Sequence, residues 1–131
     1  MIKRKVFLIS LIVFGVSAAL MAQSFWKGQT MSANQVAEKW GQESLDMTKF
    51  KDGDYSIKSK MAYSILTDKS LIGKNKKYIV DNFGSYDGFY FIDSYPAYII
   101  QDQPKEVWQI VFKINSDRQV REIIVHKNCC E

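Results

Sequence analysis

"EVWQIVFKINSDRQVREIIVHK", residues 106–127, decides the fold. Trp108, Ile110, Phe112 and Ile114 recur at every second position, so an extended chain turns them all to one face. "NSDRQ" is rich in turn-forming residues, and "VREIIVHK" then resumes a β-branched run. Two such runs joined by a short turn pair antiparallel. Just upstream, "GFYFID" and "AYIIQ" are aromatic and β-branched with Ser94-Tyr95-Pro96 between them, and both predict strand.

The preceding half reads differently. "SANQVAEKWGQ" starts a helix: Ser32 and Gln35 have capping-box spacing, Val36 and Trp40 share a face, and Gly41 can end it. "KDGD", residues 51–54, predicts a turn whose Asp54 caps a second helix with Ile57, Met61 and Ile65 as its apolar stripe. Asp52 and Asp54 lack the spacing of a calcium loop, so the polar turn is the better reading. Asn75 can cap a third, short helix in which Ile79 and Phe83 share a face, with Gly84 ending it in a left-handed conformation. Helices first and strands last predict an α+β domain, with two or three helices packed on a three- to four-stranded antiparallel sheet.

Gly73-Lys74 invites comparison with a phosphate-binding loop. That loop needs a glycine at position 68 and Ser or Thr at position 75, where this chain has Asp68 and Asn75. A connecting turn is the reading that remains. No G-x-S-x-G elbow accompanies the single histidine, so no hydrolase constellation is present and the chain is expected to be no enzyme and to need no cofactor.

The chain has 131 residues, enough for one domain. Its formal charge of +4 includes Lys3, Arg4 and Lys5; without these three it is +1, which excludes a nucleic-acid-binding face. Residues 1–22 have a basic head, an apolar run over 6–22 and small residues near the end, the layout of a secretory signal. The apolar run of 17 residues is long for a signal core and at the short limit for a spanning helix, so residues 1–22 read as a signal peptide or a membrane anchor helix. Cleavage after Ala22 or Ala19 fits. Residues 23–31 follow as a polar linker, and residues 32–131 as the folded domain. Either reading places the domain outside the cytoplasm, periplasmic or anchored facing the periplasm. Membrane contact runs through the N-terminal segment where it is uncleaved.

The run "KMAYSIL…LIGKNKKYIVDNFGSYD", with "WQIVFKINSDRQVREIIV", resembles the small outer-membrane assembly lipoproteins of the SmpA/OmlA or BamE-like family. The resemblance rests on Gly73, the cap Asn75, the pair Ile79 and Phe83, and the Leu-Gly position here held by Phe83-Gly84. It covers about residues 57–126. The family's lipid-bearing cysteine is missing after the apolar run, and Ser85-Tyr86 stands where the family often has proline. The resemblance implies the α+β fold and a non-catalytic protein-binding or assembly role in the bacterial cell envelope, with an envelope protein as partner.

Two sets of residues could carry function. Tyr86, Phe89, Tyr90, Phe91, Tyr95 and Tyr98 crowd a short stretch. Strand alternation cannot bury them all, which makes Tyr90, Tyr95 and Tyr98 candidate partner-binding anchors. His126, Cys129 and Cys130 form the other set. In an exported chain the adjacent cysteines are disulfide candidates, with each other or with separate partners. Imidazole and thiolates together also suit zinc or copper(I), giving an alternative reading as a redox or metal-handling envelope protein. A third reading is a small inhibitor of a secreted enzyme, presenting an aromatic sheet face.

Overall fold

A computed structural model describes residues 29–92 and 94–127. The segment 1–22, Phe25, Trp26, Cys129 and Cys130 lie outside the described residues. The elements in chain order are β1 (Gln29–Met31), α1 (Ala33–Trp40), α2 (Met47–Asp52), α3 (Tyr55–Lys60), α4 (Ala62–Thr67), a 3-10 turn (Lys69–Leu71), α5 (Lys76–Phe83), β2 (Ala97–Gln103), β3 (Glu106–Ile114) and β4 (Val120–Lys127). The fold is α+β: the helices cover one face of an antiparallel sheet ordered β1-β4-β3-β2. Among the described residues no helix is long and apolar enough to cross a membrane.

The expected caps form. The Ser32 hydroxyl accepts from the Gln35 amide while the Gln35 side chain accepts from the Ser32 amide, a complete capping box. The Asp54 carboxylate accepts from the Ile57 amide at 3.0 Å, and the Asn75 side chain from the Tyr78 amide at 2.7 Å. Gly73 and Gly84 both take positive φ, +89° and +93°, where a side chain would be strained.

Three elements differ from the sequence expectation. The second helix breaks at Met61 into α3 and α4. The Lys60 carbonyl turns away from the helix to accept the Glu43 amide at 3.1 Å, so the loop before α2 docks into the break. The apolar stripe survives the kink, with Met61 and Ile65 fully buried. A further helix, α2, takes in Lys51 and Asp52 of the expected 51–54 turn, leaving Gly53 and Asp54 as the link to α3. Asp46 caps it at 3.0 Å from the Lys49 amide and it buries Phe50. Finally, Gln29–Met31 is not linker but an edge strand paired with Val125–Lys127.

The core lies between the helices and the sheet. Trp108, Ile110, Phe112 and Ile114 all enter it, as their alternation requires. Phe50 and Phe83 from helices meet Tyr98 and Phe112 from strands. Centroid separations among these rings run from 5.3 to 6.2 Å, mostly edge to face, the geometry that ring quadrupoles favour. Ile79 packs beside them, fully buried.

Gly73-Lys74 has a structural partner. The Gly73 amide donates to the Val120 carbonyl at 2.7 Å, and the Val120 amide returns a bond to the Lys74 carbonyl at 2.8 Å. The stretch is therefore bonded to the start of β4. Its amides are engaged, not gathered around an open anion cradle.

Candidate protein-docking surface

The sheet's second face is where the sequence departs most from a simple two-layer domain. Gln109, Val111 and Lys113 of β3 point there. Across the ladder they meet His126, Ile124 and Glu122 of β4. Solvent on this face would leave Gln109 and His126 exposed, yet they are 0% and 3% accessible. Their cover is residues 85–92 and 94–96, which lie across the sheet as an irregular strap.

"GFYFID" was expected to be strand; it is not. The strap satisfies its backbone through side chains. The Phe89 amide donates to Gln109 Oε1 at 3.0 Å, and Gln109 Nε2 donates to the Phe89 carbonyl at 2.7 Å. One buried amide group thus supplies both halves of a strand-like pairing. Toward β2 the strap's Asp87 carboxylate accepts the Ile99 amide at 2.9 Å, and the Gly88 amide donates to the Ala97 carbonyl at 2.8 Å. Gly88 is required by proximity: a Cβ there would stand 2.3 Å from Gln109 Oε1 and 3.0 Å from the Ala97 carbonyl oxygen.

Within the strap, Tyr90 turns inward and Phe89 and Phe91 outward. The Tyr90 ring meets His126 edge-on at 4.7 Å, lies nearly parallel to Tyr95 at 6.3 Å, and receives the Lys113 ammonium at 5.4 Å. Gln109 Nε2 lies 3.4 Å from His126 Nδ1. Arg121 donates to the Tyr95 hydroxyl at 3.4 Å, a bond that raises the guanidinium pKa further. At the strap's other end the Asp87 charge, followed by burial, raises the phenol pKa of Tyr55.

The outward side chains form a ridge: Phe89 is 54% exposed, Phe91 57% and Ile92 48%. These are three of the five large apolar residues most exposed among the described residues, and they are near neighbours. An apolar ridge held on a pinned backbone can fill a pocket on a partner at little ordering cost.

The structure separates the expected anchors. Tyr90 and Tyr95 are half-buried in the strap and support the ridge from below. Tyr98 is fully buried on the opposite face of the sheet, its hydroxyl donating to the Gly84 carbonyl at 2.7 Å, and it has no surface to offer a partner. Burial holds its phenol well above the usual range, with smaller contributions from Tyr86 and Asp87. Phe89 and Phe91 belonged to the expected aromatic crowd but not to its expected anchors, and Ile92 to neither, because alternation separates Phe89 and Phe91 from Tyr90 without saying which side the sheet covers. Gly73, Asn75, Ile79, Phe83 and Gly84 act in the fold, away from this surface.

His126 lies beneath Tyr90, while Cys129 and Cys130 lie outside the described residues. Among the described residues no three His, Cys, Asp or Glu side chains are grouped to hold a metal ion. Compared with known proteins, the chain matches no family model, and no curated protein and no solved structure matches it.

Proposed function

We propose that the chain is a non-catalytic protein-binding or assembly module of the bacterial cell envelope. The observation that carries the reading is the ridge of Phe89, Phe91 and Ile92, exposed on a backbone fixed by Gln109 and Asp87. Burying apolar side chains of this size against a partner is a sufficient driving force for association. The envelope assignment is supported by the signal-like residues 1–22. The resemblance to the SmpA/OmlA or BamE-like family supports an assembly role, through a fold with helices on one face of an antiparallel sheet.

The test is mild crosslinking in the native envelope, comparing the wild-type chain with Phe89→Ser/Phe91→Ser. A stoichiometric partner that the double variant loses is the expected result. If crosslinking recovers no partner with the wild-type chain, the reading is abandoned.

A further inference from the structure

The ridge owes its shape to one strained residue. Among the described residues other than glycine, three take a positive φ: Lys105, Arg118 and Phe91. Lys105 and Arg118 lie in the short connections from β2 to β3 and from β3 to β4, where a left-handed residue helps the chain reverse. Phe91 lies in neither. Its φ is +50°, and the Ile92 amide donates to the Tyr90 carbonyl across it, a three-residue turn of the hand that is strained for L residues.

That turn decides which side chains stand together. Extended backbone sends successive side chains to opposite sides. Phe89 out, Tyr90 in and Phe91 out keep this order, and Ile92 would turn in next. The turn brings Ile92 out instead, so Phe91 and Ile92 are exposed side by side. The sequence pulls the other way, because an aromatic and β-branched run favours extended backbone here. Such strain persists only where the surroundings hold it. Before the turn, Gln109 fixes the Phe89 backbone through its amide and carbonyl. After it, the Tyr95 amide donates to the Ile92 carbonyl at 3.2 Å, and the Phe112 amide to the Pro96 carbonyl at 2.9 Å. The Tyr90 ring is held by His126, Tyr95 and Lys113. Between these fixed ends the Tyr90 carbonyl and the Ile92 amide bond to each other, so the turn can open without breaking a bond to the sheet among the described residues.

We propose that the turn at Phe91 is a two-position switch of the docking ridge. In the strained position Phe91 and Ile92 face outward together and the ridge is complete. In the relaxed position Phe91 is extended, Ile92 turns away from it and the ridge is divided. A partner that buries both side chains selects the strained position and holds it. The switch rests on reading the ridge as a docking surface.

Relaxation-dispersion and saturation-transfer NMR on the isotope-labelled full chain reads both positions, in detergent where the N-terminal segment is retained. The amides of Tyr90, Phe91 and Ile92 and the Ile92 methyl groups should exchange together with a minor state of about 1–10%. Phe91→Gly, which has no side chain to strain the left-handed region, should lower that population about tenfold. Phe91→Val, whose β-branch is averse to positive φ, should raise it about threefold. Position 91 is exposed, so neither variant empties the core, and an unchanged urea slope shows that both fold as the wild type does. A strap that does not exchange, or exchange equal in all three proteins, overturns the switch and leaves the docking reading in place. An exchanging strap on a chain that crosslinks to no envelope partner overturns the docking reading, and the role of the switch with it.

Discussion

Gln109→Leu is the sharpest perturbation of the strap. Leucine has a similar volume and keeps the site filled, so the change removes hydrogen bonds with little cavity term. Two bonds to the Phe89 backbone are lost, of 3.0 and 2.7 Å, together with the longer 3.4 Å contact to His126 Nδ1. Each contributes about 0.5–1.5 kcal/mol net. Phe89 is half exposed, so its freed amide and carbonyl can reach water when the strap lifts, which keeps the penalty at the lower part of the range for unsatisfied groups. The strap's closing free energy should therefore fall by about 2 kcal/mol, equivalent to about 30-fold in a local opening equilibrium. The assay is amide hydrogen exchange resolved by residue. Phe89 and Gly88 should exchange about 30-fold faster in the variant, while helical amides away from the strap, such as that of Ile65 bonded to the Met61 carbonyl, change far less. Unchanged exchange at Phe89 would show that the ring contacts of Tyr90 hold the strap unaided. Equal acceleration at Ile65 would show that the strap opens only with the whole domain. Either result refutes the idea of a locally pinned strap.

Gly88→Ala should loosen the same segment by a different route, since its Cβ meets Gln109 Oε1 and the Ala97 carbonyl, and a loss of about 1–3 kcal/mol in denaturant unfolding is expected. Phe50→Ala removes a fully buried ring that touches Phe83 and Tyr98 and should cost about 3–5 kcal/mol, read as a lowered urea midpoint at unchanged slope. Alkali should destabilise the domain through Tyr98. The unfolded chain loses this proton near pH 10 while the buried phenol retains it, so the stabilisation is full below about pH 10 and declines above it. Melting temperature followed between about pH 8 and 11 should bend downward, less so in Tyr98→Phe, and an identical bend in both proteins would exclude Tyr98 as the source. Replacing Cys129 and Cys130 together by Ser should leave the binding role intact; its loss with the fold unchanged would favour redox or metal handling at the His126 end of β4.

Local rules made the caps and the hairpin legible. Ser32, Asp54 and Asn75 cap through bonds three residues away, and β3 alternates because one face is filled by helices. What escaped was set by contacts distant in sequence. The break at Met61 depends on Glu43 claiming a carbonyl that local spacing assigns to the helix. The strap depends on Gln109 and Asp87 offering side-chain groups to backbone that would otherwise pair as strand. Gln29–Met31 is polar and short, and only the open edge of β4 makes it a strand. The candidate surface was legible as an aromatic excess, but which rings face out is decided by the strap's path. Tyr98 belongs to β2 and the core, whereas Phe89, Tyr90 and Phe91 alternate out, in and out on a segment that joins no strand ladder.

The division of β4's outer edge has a kinetic consequence. Gln29–Met31 finds its partner roughly a hundred residues later, and Gly73-Lys74 must also await Val120 before its amides are satisfied. Such long loop closures are slow, because their entropy is lost before the contacts reward it. The helical half can gather its apolar side chains early, but the segment that locks both of its ends in place emerges last from the ribosome. A nascent chain short of Val120 has only the β2–β3 hairpin to set against the helices, and the apolar surface that β4 covers stays open. In that interval the open apolar surface and the unpaired edge of β3 are what expose the chain to aggregation.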